Sequence, residues 1–121
     1  MPRSLDAYMR TQKETTSDAA AIATLFQKLF EAVERTRPFI GEGRRSEVHD
    51  RLVRCQKVVV GLRAGLDPSA APIADNLEKL YSYIEWKLGE ANVHLDLQAL
   101  DDALSVIKDL RDGYQGIAFP D

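Results

Sequence analysis

The 121-residue sequence contains a single cysteine, Cys55, only two histidines, and aromatic residues at 7% of its positions. One cysteine cannot form a disulfide within the chain, so the composition gives no sign of an oxidising compartment. Apolar runs long enough to span a bilayer are missing, and residues 1–16 have no apolar core of the signal-peptide type. We therefore expect a cytosolic protein with no membrane insertion.

A strong excess of either charge is also missing. The chain has 16 Lys and Arg residues against 19 Asp and Glu residues, which gives a net charge of −3. Proteins that bind nucleic acid in general are usually basic, so we expect no nucleic-acid partner. Apolar residues make up 45% of the chain, which at this length is enough for one hydrophobic core and a single domain over residues 1–121.

Strand-like alternation, internal repeats and low-complexity tracts are not found, and helical periodicity takes their place. Apolar residues recur at steps of three and four in four stretches, which are about 18–37, 46–64, 72–96 and 97–114. Loops that contain glycine and proline follow the first two stretches, at 38–45 and 65–71. Four amphipathic helices with short connections predict an all-α fold, an antiparallel four-helix bundle.

The bundle is expected to fill residues 17–114, with a different kind of segment at each end. Residues 1–16 should form a short N-terminal cap segment or helix that packs on the bundle, and the tail 115–121 should leave the last helix. Ser17 is a good N-cap for the first helix and Asp96 for the fourth, because their side chains accept hydrogen bonds from backbone N–H groups.

The third stretch has the most regular pattern, and other helices are needed to cover it. Pro72 suits its first turn, where the missing N–H would have no intrahelical partner. Its apolar stripe comprises Ile73, Leu77, Leu80, Ile84, Leu88, Ala91 and Leu95. The second stretch has a similar stripe, close to a heptad seam, which comprises Val48, Leu52, Cys55, Val59, Leu62 and Leu66.

Residues that could support catalysis or metal binding do not form a recognisable set. His49 and His94 lack the lysine and glycine that usually follow the histidine of phosphotransfer bundles. Cys55 falls in an apolar seam, which favours a buried structural thiol. The acidic residues lack the Glu-x-x-His pairs of di-iron bundles. We therefore expect no catalytic residue, cofactor or metal, and no enzyme activity.

Aromatic residues and amides on the third helix indicate a partner surface instead. Tyr81, Tyr83 and Trp86 cannot all join the apolar stripe, and Asn76 and Asn92 lie beside it, where packing alone would not favour an amide. Aromatic groups with a polar tip are enriched at protein interfaces. Wide aromatic coverage of a small core explains the aromatic residues equally well.

An ordered set of residues along the whole chain carries a family resemblance. It comprises Tyr8, Gln12, Thr15 and Ser17, then Ile22, Leu25 and Phe26, then Gln56, Leu62, Leu66 and Asp67, then Ile73, Ala74, Asn76, Leu77, Leu80, Tyr81, Tyr83, Leu88, Ala91, Asn92 and Asp96, and finally Leu110 and Arg111. With this set the sequence resembles the flagellar secretion chaperone family, the flagellin-specific export chaperones of bacteria.

The resemblance implies a fold, a partner and a mechanism. Members are antiparallel four-helix bundles on which a short N-terminal segment can cover an apolar site. They bind the C-terminal segment of flagellin in the cytosol, prevent its premature polymerisation and help deliver it to the flagellar type III export apparatus. The export gate and regulatory proteins are further possible partners. A bundle with grooves between its helices can accept the apolar face of such a segment.

On this basis we expect nine residues to contact flagellin or to shape its groove. They are Tyr8, Gln12, Thr15, Gln56, Asn76, Leu80, Tyr81, Tyr83 and Asn92. Two other hypotheses stay open from the sequence alone. One is a histidine phosphotransfer bundle that uses His49, and the other is a self-associating helical module that uses the seam of the second helix.

Overall fold

The computed structural model describes residues 16–120, and in this range it contains helices and no strand. The helices, in chain order, are α1 (Thr16–Glu34), the short α2 (Arg37–Gly41), α3 (Arg45–Ala64), α4 (Ile73–His94) and α5 (Leu97–Ala118), with a 3₁₀ turn at Pro68–Ala70. The predicted all-α bundle of four long helices is confirmed.

The four long helices form an antiparallel bundle in which α5 lies between α1 and α4. Helix α1 packs mainly on α5, α4 packs on both α5 and α3, and α3 returns only loosely towards α1. The contacts between the α1–α2 segment and α5 run in opposite order along the chain. Phe26 stacks on Tyr114, whereas Arg37 pairs with Asp101 near the start of α5.

Three aromatic rings occupy the centre of the core. The ring of Phe26 lies 5.6 Å from that of Tyr114 and 6.1 Å from that of Tyr81, measured between centroids. All three side chains are at most 2% exposed. The hydroxyls of Tyr81 and Tyr114 lie 3.4 Å apart and form a hydrogen bond, which offsets the cost of burying these polar groups.

A two-residue connection joins α4 to α5. Leu95 ends α4 in the left-handed conformation, with φ 51° and ψ 44°, which costs a non-glycine residue roughly 1–2 kcal/mol. Asp96 Oδ1 then accepts hydrogen bonds from the backbone N–H groups of Gln98 at 3.0 Å and Ala99 at 3.2 Å. The predicted N-cap of the last helix is therefore confirmed, and it makes this sharp reversal possible.

The first helix and the segment after it differ from the prediction. Helix α1 already includes Thr16, so Ser17 lies inside the helix and is not its N-cap. It ends at Glu34, and residues Arg37–Gly41, which we predicted to be the helix end and a loop, form α2. Pro38 lies in the first turn of α2, where its missing N–H would have no intrahelical partner.

Two predictions about the last two helices are also wrong. Helix α5 does not end at Tyr114 but continues to Ala118, because Ala118 is only 3% exposed and belongs to the core. Leu80 does not belong to the buried stripe of α4, since it is 39% exposed. Tyr81, one position and about 100° further around the helix, takes its place in register with Leu77 and Ile84.

Candidate functional site

The side of the bundle between α1 and α3 is packed less closely than the side between α1 and α5. It contains an open cavity of about 210 Å³, which we call the α1–α3 groove. The residues that line it on α1 are Leu25, Lys28, Leu29 and Ala32, and on α3 they are Arg54, Cys55 and Val58. Both helices therefore contribute, one wall each.

The surface of the α1–α3 groove is almost entirely apolar. Leu29 and Cys55 are each 4% exposed and form its floor, whereas Leu25, Ala32 and Val58 are half-buried on its walls. Its volume of about 210 Å³ is below the roughly 300–1,000 Å³ of typical small-molecule sites. The groove is therefore suited to side chains from a partner segment.

Cys55 has the chemistry of a structural thiol. Burial raises the pKa of the Cys55 thiol to about 11, and the nearby charge of Arg54 acts weakly in the opposite direction. The thiol therefore stays protonated near neutral pH and is a poor nucleophile. The prediction of a buried structural cysteine is confirmed, although the same residue also lines the groove.

Two cations stand at the rim of the α1–α3 groove. Lys28 on α1 and Arg54 on α3 are both exposed. Among the residues that the structure describes, neither has an ion-pair partner, and no acidic side chain lines the groove. In this part of the chain the α1–α3 groove is therefore apolar and has a positive charge without an ion-pair partner on each edge.

Tyr81, one of the predicted contact residues, lies in the core. It is 2% exposed, and its ring packs near Phe26. It cannot touch a partner while the bundle keeps this packing. Its place in the core leaves it the second predicted role, in which it shapes the bundle that carries the groove.

Gln56 and Asn92 lie between α3 and α4, on the opposite side of α3 from the groove. The Asn92 side-chain amide donates to His49 Nδ1 at 3.2 Å, and the amide nitrogen of Gln56 lies against Gly89. Nearby, the guanidinium of Arg63 pairs with the Glu85 carboxylate at 2.7 Å. The amide of Asn92 is therefore explained by a contact between helices.

Leu80, Tyr83 and Asn76 lie on solvent-facing parts of α4. The Tyr83 ring meets Trp86 edge-on at 5.8 Å, and the ammonium of Lys87 lies 4.4 Å from the Trp86 ring centroid. Trp86 is 57% exposed and Leu80 is 39% exposed. This outer face of α4 is not continuous with the α1–α3 groove. The structure thus does not bring the predicted residues together at one site.

The predictions at the N-terminus lie outside the described residues. This part of the chain contains Tyr8, Gln12 and Thr15. It also contains the predicted cap segment 1–16, except for its last residue, Thr16. They stay predictions.

The observations behind the two alternative hypotheses have structural explanations. His49 is exposed and accepts a hydrogen bond from Asn92, as a residue of the α3–α4 contact would. The core of the α3 seam, at Val48, Leu52 and Val59, is fully buried within the bundle. These three residues of the seam are therefore already covered by the other helices.

Sequence reasoning did not single out the α1–α3 groove, but α1 contained a signal. Ile22, Leu25 and Leu29 form a row beside the buried row of Phe26 and Val33. Together the two rows make a stripe wider than one neighbouring helix covers. The extra width indicates a second contact surface.

Metal-binding clusters and membrane-spanning helices are not found in the part of the chain that the structure describes. Within residues 16–120 no group of His, Cys, Asp and Glu side chains is arranged to hold a metal ion. In the same range each helix is too short or too polar to cross a bilayer.

Comparisons with known proteins agree over nearly the full length. The family model for the flagellar protein FliS matches residues 1–120. The flagellar secretion chaperone FliS of Salmonella typhimurium is 28% identical over 120 residues, which cover 94% of this chain and 89% of that protein. The same-named protein of Vibrio cholerae is 27% identical over 122 residues, covering 97% and 90%.

FliSB of Pseudomonas aeruginosa, also a flagellar secretion chaperone, is 26% identical over 121 residues and covers 96% of each chain. No solved structure matches this chain significantly. The resemblance noted from the ordered residue set is thus confirmed by a match that leaves out a single residue of the 121. The chain belongs to the FliS family of flagellar proteins.

Proposed function

We propose that this protein is a cytosolic export chaperone for flagellin. It binds the C-terminal segment of flagellin, prevents premature polymerisation and helps deliver the client to the flagellar type III export apparatus. The observation that carries the proposal is an open apolar groove on a chain of the FliS family. The names of the curated relatives, which describe flagellar secretion chaperones, support the same role.

The mechanism follows from the shape of the α1–α3 groove. A client segment that has not yet folded can form a helix on binding and place its apolar stripe between α1 and α3. Ordering that segment costs conformational entropy, which burial on Leu25, Ala32 and Val58 must exceed. While the stripe is covered it cannot pack against another flagellin molecule. Binding alone accomplishes this, so no catalytic residue is needed.

The nine residues expected from the sequence take different parts in this proposal. Tyr8, Gln12 and Thr15 belong to the segment that leads into α1 and stay candidates for direct client contact. Gln56, Tyr81 and Asn92 hold the helices that form the groove. Leu80, Tyr83 and Asn76 stay candidates for contacts outside the groove, on α4.

Two matched substitutions on α3 test the location of the site. Val58 lines the groove, whereas Val60 on the same helix is 46% exposed on the outside of the bundle. Titration calorimetry with the C-terminal segment of the flagellin from the same organism should give at least tenfold weaker binding for Val58→Asp. Val60→Asp should bind like the unmodified protein.

Circular dichroism of both variants checks that the bundle is intact. Failure of the unmodified, folded protein to bind the segment at micromolar concentration would overturn the proposed function. Equal binding by both variants would place the site elsewhere. In that case the affinity of the Tyr83→Ala and Trp86→Ala variants for the segment tests whether the binding site lies on the outer face of α4.

A further inference from the structure

The positive charge on α3 is out of proportion to the rest of the chain. Residues Arg45–Ala64 contain five basic and two acidic side chains, a net charge of +3 in a protein whose total is −3. Most of the basic side chains have partners. Arg45 donates to the carbonyl of Val93, Arg51 lies over the Phe39 ring, and Arg63 pairs with Glu85. Arg54, at the groove, has none among the described residues.

The opposite wall of the groove repeats this arrangement. Lys28 on α1 faces the same channel without a described ion pair. Glu31, one turn further along α1, is engaged with Gln27 and Arg35. Among the described residues, the α1–α3 groove therefore has one cation without an ion-pair partner on each edge and apolar groups between them.

The chain's own N-terminal residues do not match these charges. Residues 1–15 contain three basic side chains, Arg3, Arg10 and Lys13, and two acidic ones, Asp6 and Glu14. This net charge of +1 has the same sign as the rim. Charge complementarity therefore favours an occupant from outside the chain with the opposite sign.

We propose that the α1–α3 groove selects a client helix whose apolar stripe has acidic side chains on both flanks, which pair with Lys28 and Arg54. The inference rests on the proposed function and adds the chemistry by which the client is chosen. A helix that lies between two others has its stripe on the floor and its flanking residues at the two rims. This is the geometry in which flanking charges set partner choice in coiled coils.

The test uses full-length protein with two pairs of charge reversals that change the net charge equally. The first pair, Lys28→Glu with Arg54→Glu, is at the groove. The second pair, Lys57→Glu with Lys79→Glu, alters two exposed lysines that do not line it. Binding of the C-terminal flagellin segment is measured by calorimetry at low and high salt. The rate of alkylation of Cys55, the chain's one cysteine, reports whether the groove is occupied.

We expect the groove pair to raise the Kd at least tenfold at low salt and the control pair to stay within twofold of the unmodified protein. A client segment with its acidic residues changed to amides should bind the unmodified protein with a Kd raised by the same factor. Client binding should slow alkylation of Cys55. Because exposed ion pairs are screened by salt, the difference between the two pairs should shrink as salt is added.

Three results would overturn the inference. An equal loss of client affinity in both charge-reversal pairs would mean that only the net charge of the protein matters. Full affinity for the client whose acidic residues are changed to amides would mean that its acidic side chains do not contribute to binding. Faster alkylation of Cys55 in the free groove pair than in the control pair, without loss of client affinity, would mean that Lys28 and Arg54 hold part of the chain itself over the groove. In each case the unmodified protein still binds flagellin, so the proposed function stands. Absence of binding to the unmodified protein would instead reject both.

Discussion

Helix α1 has two flanks that are built in different ways. On the flank that faces α5, Phe26 stacks on Tyr114, and Arg111 donates to Gln27 Oε1 at 3.0 Å while its guanidinium lies over the Phe30 ring. On the flank that faces α3, apolar side chains line an open groove. We call these the closed flank and the open flank of α1.

The difference separates two tasks within one helix. The closed flank satisfies its polar groups and covers its rings, so it should supply most of the stability that α1 contributes. The open flank leaves apolar area facing the α1–α3 groove, at whose rim Lys28 and Arg54 have no ion-pair partner among the described residues. This area becomes useful only when something covers it. Stability and binding should therefore respond to different substitutions on α1, even at adjacent positions.

The largest effect is expected from truncating neighbouring residues on the two flanks. Phe26 is fully buried, so Phe26→Ala should lower the free energy of unfolding by roughly 3–5 kcal/mol. Leu25 is half-buried on the groove wall, so Leu25→Ala should cost roughly 1 kcal/mol but weaken client binding markedly. Urea unfolding and calorimetry measure the two quantities. Equal losses of stability would contradict the division between flanks.

The Cys55 thiol on α3, at the floor of the groove that the open flank faces, gives a pH-dependent prediction. The unfolded thiol ionises near the ordinary value of 9.0, whereas the pKa of folded Cys55 is raised by burial to about 11. Between these values the unfolded state releases a proton that the folded state keeps. Stability is therefore fully present below pH 9 and falls as the pH rises to 11, by about 2–3 kcal/mol.

Urea unfolding of the unmodified protein and of Cys55→Ser between pH 8 and pH 11 isolates this contribution, because tyrosines and lysines titrate in both. The difference in stability between the two proteins should change with pH as described. A difference that stays constant would show that water reaches the floor of the groove and that the open flank is wetter than its apolar lining indicates.

Periodicity predicted the closed flank because burial there repeats with the turn of the helix. Phe26 and Val33 could be assigned to the core from spacing alone, and Asp96 could be recognised as a cap from its place before an apolar run. These features depend on local geometry. A groove depends on the distance between two helices, which is set by all of the packing at once and leaves little trace in the sequence of either helix.

Neither residue type nor spacing placed the candidate residues on α4 correctly. Tyr81 has a polar tip, which suited an interface, and the spacing put Leu80 in the apolar stripe, but the structure buries Tyr81 and exposes Leu80. Asn92 looked unexplained on α4 because its partner, His49, lies on another helix. Both cases have the same cause. The chemistry of a side chain is visible in the sequence, but the neighbour that determines its role is not.

Enlarging a small residue on each flank should give a moderate contrast. Ala23 is 2% exposed in the core, so Ala23→Leu should overpack it and lower stability by about 1–3 kcal/mol. Ala32 lines the groove, and Ala32→Leu has open space to fill, so its stability should change little. The second variant should nevertheless bind the client more weakly, because the new side chain occupies the client's space. Thermal unfolding and calorimetry of both variants provide the comparison.

Removing the arginine that faces each flank of α1, Arg111 on α5 and Arg54 on α3, should give the smallest effect. It tests most directly whether the cation opposite the open flank has a partner in the free protein. Arg111 bridges α5 to α1 through Gln27 and the Phe30 ring, so Arg111→Ala should cost about 1 kcal/mol of stability. Arg54→Ala should cost less than about 0.5 kcal/mol while reducing client affinity several-fold. Both can be measured by urea unfolding and calorimetry under one set of conditions. If the loss of stability is as large for Arg54 as for Arg111, then Arg54 already has a structural partner in the free protein, and the cation at the groove rim is not available to a client.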